Sequence, residues 1–195
     1  MENLYNCIDN CAYVATCQEN KKTKVDENSF CSLLDVQLSQ SQKIKTGKLM
    51  EHIISDYILS LSTVQNIRPK NRKGFHEYDH LFLKDDVIYY AEIKANLNLD
   101  TEKTKATIDK CMYNVDRLKQ DFPGKTIRWG LVSLRSLRTL DILPYTRSKY
   151  TKIENNLLGL RDYLDLFDIK TDFIDDHKYR QIVNYVVKKA FFHGF

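Results

Sequence analysis

Two short runs of aromatic and β-branched residues constrain the fold of this chain more than any other feature. Residues 77–83 (EYDHLFL) and 87–95 (VIYYAEIKA) are separated only by the polar residues 84–86 (KDD). Strand-forming runs joined by a short polar turn are typical of a β-hairpin. The sequence therefore predicts an antiparallel hairpin near the middle of the chain.

The hairpin brings two acids together. A turn centred on Asp85 and Asp86 places Asp79 directly opposite Glu92, whereas a turn of odd length would shift the pairing by one residue. Opposed residues have Cβ atoms about 5 Å apart, so two carboxylates there repel each other. They must protonate, move apart or share a cation, and Mg²⁺ is commonly bound by only one or two carboxylates. Lys94 lies on the same strand face as Glu92 because side chains two residues apart share a face.

The segments around the hairpin alternate between helical and strand patterns. The predicted elements are a helix over 43–62, a short strand over 63–67, the hairpin, a helix over 102–120, a strand over 126–134, and further helices near 152–167 and 176–192. The helix over 102–120 is expected to bury Ile108, Met112, Val115 and Leu118. Residues 1 to about 40 are predicted to be a helical preface, with a polar loop from Glu19 to Asn28. This order predicts an α/β sandwich whose core lies in residues 43–134.

Composition limits the class of protein. A chain of 195 residues is long enough for one compact domain and short for two. The net charge of +4 permits a nucleic-acid partner without requiring one. No apolar run is long enough to span a bilayer, and the first residues lack the pattern of a signal peptide. We therefore expect a soluble, cytoplasmic protein without a membrane partner.

Four of the five cysteines, Cys7, Cys11, Cys17 and Cys31, lie near the N-terminus. They form no Cys-x-x-Cys pair, and no histidine lies near them in the sequence. Reduced, mostly buried thiols are the favoured interpretation, with a structural zinc site as the alternative.

The tripeptide Glu92-Ile93-Lys94, preceded by Asp79 with twelve residues between, resembles the motif of the PD-(D/E)xK nuclease superfamily, which includes many type II restriction endonucleases. The predicted element order in residues 43–134 is similar to the core of that family. Tyr78 stands where the motif has its nominal proline. The resemblance implies a restriction-endonuclease-like fold, in which a small mixed sheet with a central hairpin is flanked by helices, over a single domain of residues 1–195.

The resemblance also implies roles for the site residues. Asp79, Glu92 and Ile93 would bind Mg²⁺, for which Mn²⁺ could substitute, and Lys94 would contact the attacking water. Glu51, on the preceding helix, is the candidate for a supporting glutamate; a solvated residue at the helix edge is the alternative. The pKa of a free lysine is about 10.4, so Lys94 is expected to orient the water and stabilise charge rather than act as the base.

The function implied is that of a Mg²⁺-dependent type II restriction endonuclease that cuts double-stranded DNA. A homodimer is expected because a palindromic site needs two matched active sites. Residues 1–42 and 135–195 are the candidates for sequence recognition or dimerisation. The alternatives are a repair or Holliday-junction nuclease of the same superfamily, a non-catalytic DNA-binding protein, and, for the hairpin acids, ordinary surface residues with Lys94 as an ion-pair partner. RNA is not excluded as a substrate.

Basic residues near the predicted site are candidates for phosphate or base contact. They are Lys70, Arg72 and Lys73 in the basic loop 68–73, Lys103 and Lys105 at the start of the following helix, and Arg135 and Arg138 after the buried strand. Plain solvated charge is the alternative for each. His76 and His80 are predicted to face DNA or to be merely polar, and not to be ligands.

Overall fold

The computed structural model of the protein describes residues 2–10, 30–61, 63–69 and 78–191. The helices are α1 (Glu2–Asn10), α2 (Gln40–Leu59), α3 (Thr101–Asp121), α4 (Pro144–Arg147), α5 (Leu160–Asp165) and α6 (Asp176–Phe191). The strands are β1 (Gln65–Asn66), β2 (His80–Lys84), β3 (Val87–Lys94), β4 (Thr126–Ser133) and β5 (Leu157–Gly159). Short 3₁₀ segments lie at Phe30–Leu33, Thr139–Asp141 and Ser148–Asn156.

The strands form one mixed sheet in the order β1-β2-β3-β4-β5. β2 runs antiparallel to both of its neighbours, β1 and β3, whereas β3, β4 and β5 run parallel. The parallel pair β3 and β4 is joined by α3, as a parallel connection requires a crossover. The described residues therefore form an α/β structure, as the element order predicts.

The predicted hairpin register is confirmed. Leu81 pairs with Tyr90 and His80 with Ala91, so Asp79 lies one residue beyond the last pair, on the line that faces Glu92. The turn residues Asp85 and Asp86 have φ values of 48° and 64°. Positive φ at both central positions is the geometry of a two-residue hairpin turn, and aspartate tolerates it better than most residues.

Helices cover both faces of the sheet. Apolar residues of α2, α5 and α6 pack with Tyr89, Ala91 and Ile93 on one face. On the other face, Val115 and Leu118 of α3 pack with Ile88 and Tyr90. Side chains alternate between the faces of a strand, so Glu92 projects toward α3 with Ile88 and Tyr90.

Helix α2 begins three residues before its predicted start, since Ser39 caps it by accepting a hydrogen bond from the Gln42 N–H at 3.2 Å. Helix α3 is capped in the same way by Asp100, which accepts from the Lys103 N–H at 2.8 Å. The prediction that Met112 is buried was wrong: it is 43% exposed, and Cys111 takes the inward position. Ile108, Val115 and Leu118 are buried as predicted. The inward stripe of α3 is wider than predicted, because Thr104, Thr107 and Asn114 are buried as well.

The predicted helix over 152–167 was also wrong. The 3₁₀ segment ends at Asn156, β5 follows, and only Leu160–Asp165 is α-helical. Leu157 and Leu158 pair with Leu131 and Val132 of β4, so their backbone groups join the sheet. Helix α6 agrees with its prediction.

The N-terminal region contains α1 and the first 3₁₀ segment, and the predicted polar loop from Glu19 to Asn28 lies outside the described residues. Cys31 is buried, Cys7 is half-buried, and neither belongs to a disulfide in the part of the chain that the structure describes. Cys11 and Cys17 lie outside that part. No helix within residues 2–10, 30–61, 63–69 and 78–191 combines the length and apolar character needed to cross a bilayer.

Candidate active site

Glu92 is the centre of the candidate site. It is 0% exposed, at the carboxyl end of β3, and its side chain lies between two lysines. Lys94 Nζ lies 2.6 Å from Oε1, and Lys110 Nζ of α3 lies 2.8 Å from Oε1 and 2.7 Å from Oε2. A buried carboxylate is stable only when it is paired and hydrogen-bonded, and these two ammonium groups provide both.

Asp79 lies beside Glu92 at the end of the hairpin. Its Oδ2 accepts a hydrogen bond from the Ile93 N–H at 2.7 Å. Burial, and then repulsion from the charge of Glu92, raise the pKa of Asp79, and Lys94 only partly offsets this. A carboxylate with a raised pKa next to a second acid is an arrangement common at functional sites.

The backbone of Ile93 turns toward Asp79. The carbonyl of the next residue, Lys94, accepts a hydrogen bond from the Leu134 N–H at 3.0 Å. The backbone N–H and C=O groups of Lys94 therefore point toward the β4 edge of β3. Successive residues of a strand direct their N–H and C=O groups to opposite edges. The Ile93 carbonyl therefore lies on the same edge as its N–H, toward Asp79.

Lys94 remains a cation in this setting. Burial alone would lower its pKa, but attraction to Glu92 and Asp79 and the hydrogen bond to Glu92 outweigh burial, and the pKa is raised. A lysine with a raised pKa is a poor general base near neutral pH. The side chain is suited to neutralising charge and orienting a polar group.

A polar side chain of α3 is linked to Glu92 through the Tyr90 hydroxyl. Asn114 Nδ2 donates to the Tyr90 hydroxyl at 2.9 Å, and that hydroxyl lies 3.5 Å from Glu92 Oε2. Burial raises the pKa of Tyr90, so the phenol stays protonated and can donate. The site is thus fixed from both β3 and α3.

Glu51 lies on the other face of the sheet, on α2, and meets the site through Arg68. Arg68 Nη1 donates to the Asp79 carbonyl at 3.0 Å and lies 3.9 Å from Glu51 Oε1. The cation partners of Glu92 are instead Lys94 and Lys110. Glu51 is therefore placed to hold the backbone of Asp79 through an arginine.

His80 corrects an expectation, because it does not face solvent or DNA. The ring is 1% exposed, with Nε2 2.9 Å from the Glu51 carbonyl and Nδ1 2.9 Å from the Tyr163 hydroxyl. A carbonyl can only accept, so Nε2 carries the proton and Nδ1 accepts from Tyr163. Burial lowers the pKa of His80 to about 4. His76 lies outside the described residues.

The predicted DNA-binding residues lie in different places. Lys105 lines a groove of about 260 Å³ together with Lys149 and Lys152. Lys103 is exposed and pairs with Asp100 at 2.9 Å.

The two arginines after β4 lie near its carboxyl end. Arg135 lines a cavity of about 450 Å³ between the segment after β4 and the start of α6. Arg138 is exposed, and its N–H donates to Asp141 Oδ2 at 2.7 Å. Lys70, Arg72 and Lys73 lie outside the described residues.

Lys110 is the site residue that the sequence analysis missed. It lies three residues after Thr107 and four before Asn114, both of which are buried on α3. That spacing places Lys110 at the edge of the inward stripe of the helix. A lysine at this position, behind a strand that carries a buried acid, is the sequence pattern that could have identified it.

The donor groups suit a hard divalent cation. Within the described ranges, no cluster of three or more His, Cys, Asp or Glu side chains could hold a metal ion. Mg²⁺ needs fewer, because it keeps several waters and takes one or two carboxylates with substrate phosphate. Asp79, Glu92 and the Ile93 carbonyl supply oxygen donors of that type, so the residues present fit Mg²⁺.

No protein-family model, curated protein or solved structure matches this chain. What the protein does must therefore follow from the chemistry of its own residues.

Proposed function

We propose that the protein is a Mg²⁺-dependent nuclease of the PD-(D/E)xK superfamily that hydrolyses phosphodiester bonds in double-stranded DNA. The observation that carries the proposal is the buried carboxylate of Glu92, held at a strand end between two lysines and beside the acid Asp79. Buried acids beside cations at the end of a strand are suited to binding a metal ion and an anionic substrate.

The order of elements supports the same superfamily. Helix α2 precedes the antiparallel strands β1 to β3, α3 crosses over, and β4 lies parallel to β3. This is the order expected for a restriction-endonuclease-like core with a central hairpin. The acids of the motif, Asp79 and Glu92, lie near the carboxyl end of β3, whose last residues pair with the end of β4.

Each residue has a distinct part in the reaction. Asp79, Glu92 and the Ile93 carbonyl would hold Mg²⁺; the chemistry the ion would supply there is polarisation of the phosphoryl oxygen and activation of a water molecule. The Lys94 ammonium, 2.6 Å from Glu92 Oε1, would neutralise charge that develops on the phosphate. Arg68 holds the Asp79 backbone in place, with Glu51 as its counter-ion.

The segments outside the core are candidates for substrate selection. Arg135 and its cavity lie just after β4, whose last residues pair with Glu92-Ile93-Lys94 of β3. An arginine near the scissile phosphate can contact phosphate or a guanine edge. We propose that the protein acts as a type II restriction endonuclease and homodimer, with the segments before residue 43 and after residue 134 providing recognition and dimer contacts.

A cleavage assay on supercoiled plasmid, phage DNA and a four-way junction tests the proposal, with Mg²⁺, Mn²⁺ or EDTA. The variants are Asp79→Asn, which keeps an acceptor for the Ile93 N–H, and Glu92→Gln. Lys119→Gln, on an exposed part of α3, is the control. We expect Mg²⁺-dependent cleavage by the wild type and the control, and a loss of about a hundredfold or more in each acid variant.

The pattern of products decides the class of nuclease. Discrete plasmid fragments indicate a restriction enzyme, whereas cleavage of the junction alone indicates a resolvase. Metal-independent DNA binding without cleavage of any substrate would contradict the proposal and indicate a binding protein.

A further inference from the structure

The four charged groups of the site balance without a metal ion. Asp79 and Glu92 carry two formal negative charges, and Lys94 and Lys110 carry two positive ones. Glu92 is fully buried, and both of its oxygens lie within 2.8 Å of a lysine Nζ. The four side chains therefore form a neutral cluster, and a divalent ion that arrives there meets no excess negative charge.

The two lysines differ in how they reach Glu92. Lys94 is on the same strand, two residues away, and contacts Oε1. Lys110 comes from a separate helix and lies 2.8 Å from Oε1 and 2.7 Å from Oε2, covering both oxygens that a metal ion would use. Its side chain is 34% exposed, so the flexible stem has room to swing toward solvent.

We propose that Lys110 is a displaceable counter-ion: it occupies the metal-binding face of Glu92 in the resting protein and moves to the phosphate of the substrate when a divalent ion binds. This inference rests on the proposed nuclease function. It assigns Lys110 the role of a positioning residue that makes binding of the metal ion depend on DNA.

Charge balance gives the reason. A divalent ion added to the neutral cluster leaves two excess positive charges in a partly buried site, which is unfavourable. A phosphodiester group supplies negative charge at that point and gives the released ammonium a new partner. Metal ion and DNA therefore bind with positive coupling, and each raises the affinity for the other by the same factor.

Removal of the Lys110 charge reverses this balance. In Lys110→Gln the cluster has one excess negative charge and a free face on Glu92. We expect Mn²⁺, counted by electron paramagnetic resonance of the free ion, to bind the DNA-free variant about tenfold more tightly than wild type. A short duplex with phosphorothioate linkages, which resist hydrolysis, should raise the Mn²⁺ affinity of the wild type more than that of the variant.

Three controls separate charge from packing. Lys119→Gln, an exposed lysine of the same helix, should bind Mn²⁺ as wild type does. Lys110→Arg, which keeps the charge, should also match wild type. Asp79→Asn should abolish the binding in each background, which locates the ion at this site.

The outcomes distinguish the two proposals. An affinity of Lys110→Gln equal to or weaker than that of wild type would overturn the counter-ion role, even if the wild type cuts DNA. Tighter binding by Lys110→Arg as well would overturn it, because charge would not be the cause. If no protein shows Asp79-dependent Mn²⁺ binding, both this inference and the nuclease proposal fail.

Discussion

At the scale of single residues, His80 shows how the candidate site is held in place by helices on the face of the sheet opposite α3. It follows Asp79 directly and is fixed between the Glu51 carbonyl of α2 and the Tyr163 hydroxyl of α5. Nε2–H can donate to the carbonyl in either protonation state, whereas Nδ1 can accept from Tyr163 only in the neutral ring, with the proton on Nε2. The histidine thus anchors the backbone of a candidate metal ligand to two helices on the opposite face of the sheet.

The buried His80 should make stability fall in mild acid. Its pKa drops from 6.5 to about 4 on folding, so between these values the unfolded chain binds more protons than the folded one. The stabilising effect is complete above pH 6.5 and is lost as pH falls toward 4. We expect a loss of about 2 kcal/mol between neutral pH and a pH of about 5, measured by urea denaturation.

A His80→Gln variant isolates this contribution from that of the carboxyl groups. The variant should be less stable than wild type at neutral pH and should show a shallower decline in mild acid. Equal pH slopes for the two proteins would show that His80 does not control the decline.

At the scale of secondary-structure elements, β5 depends on a glycine that fixes its distance from a neighbouring loop. A Cβ added at Gly159 would lie 2.4 Å from the Leu137 carbonyl oxygen and 2.5 Å from Arg138 Cα, both backbone atoms. A Cβ at Gly130 would come 2.4 Å from Leu158 Cδ1, the end of a flexible side chain. The backbone atoms of Leu137 and Arg138 that a Cβ at Gly159 would meet cannot move aside as a flexible side chain can.

Alanine substitutions at the two glycines should therefore differ in cost. We expect Gly159→Ala to lower the free energy of unfolding by about 3 kcal/mol and Gly130→Ala by about 1 kcal/mol. Chemical denaturation of the two variants measures the difference. A smaller loss for Gly159→Ala than for Gly130→Ala would contradict the tight packing of β5 against residues 137–138.

The elements that the sequence predicted well are those whose patterns are local. The hairpin register follows from a two-residue turn, and α2 and α6 follow from apolar residues at helical spacing. The false helix over 152–167 has a clear origin: Ile153, Leu157, Leu160 and Leu164 recur at helical spacing, but Leu157 is drawn into the sheet by β4. Pairing with a distant strand overrides a local pattern.

The candidate site also contains some residues that a local sequence pattern predicts and others that are brought together only by the fold. Asp79, Glu92 and Lys94 could be predicted together because a hairpin relates them by simple alternation. Lys110 was missed because its position at the edge of the inward stripe of α3 is marked by the polar residues Thr107 and Asn114, which the apolar pattern of the helix left out. Glu51 was placed on the correct helix, but its link through Arg68 arises only in the folded chain.

At the scale of the whole molecule, the net charge of +4 is modest, and the arrangement of the basic groups matters more. Lys105 and Lys152 line the groove beside α3 with Lys149, whose Nζ already donates to Asn98 and to the Leu99 carbonyl. Lys105 and Lys152 are therefore the groove lysines best suited to the phosphate contacts that the proposed function requires.

We expect the Lys105→Gln, Lys152→Gln double variant to bind DNA with a weaker dependence on salt. Each lost phosphate contact lowers the slope of log affinity against log salt by about 0.9, so the slope should fall by roughly 2. Fluorescence anisotropy over a salt series measures it. A Lys119→Gln, Lys188→Gln double variant, altered at exposed positions outside the groove, is the matched control, and an equal slope in the two variants would contradict this role of the groove.

Two hydrogen bonds link the site region to helices made late in synthesis. One joins His80 to Tyr163, and the other joins Tyr179 to the Leu134 carbonyl at 2.6 Å. The acids and lysines of the site all lie between residues 79 and 110, whereas these anchors come from α5 and α6. A nascent chain therefore carries all of these site residues before it carries α5 and α6, which together with α2 cover one face of the sheet. A sheet whose apolar face is only partly covered does not hold its shape in water. The site residues therefore reach their final positions only after α5 and α6 have been synthesised.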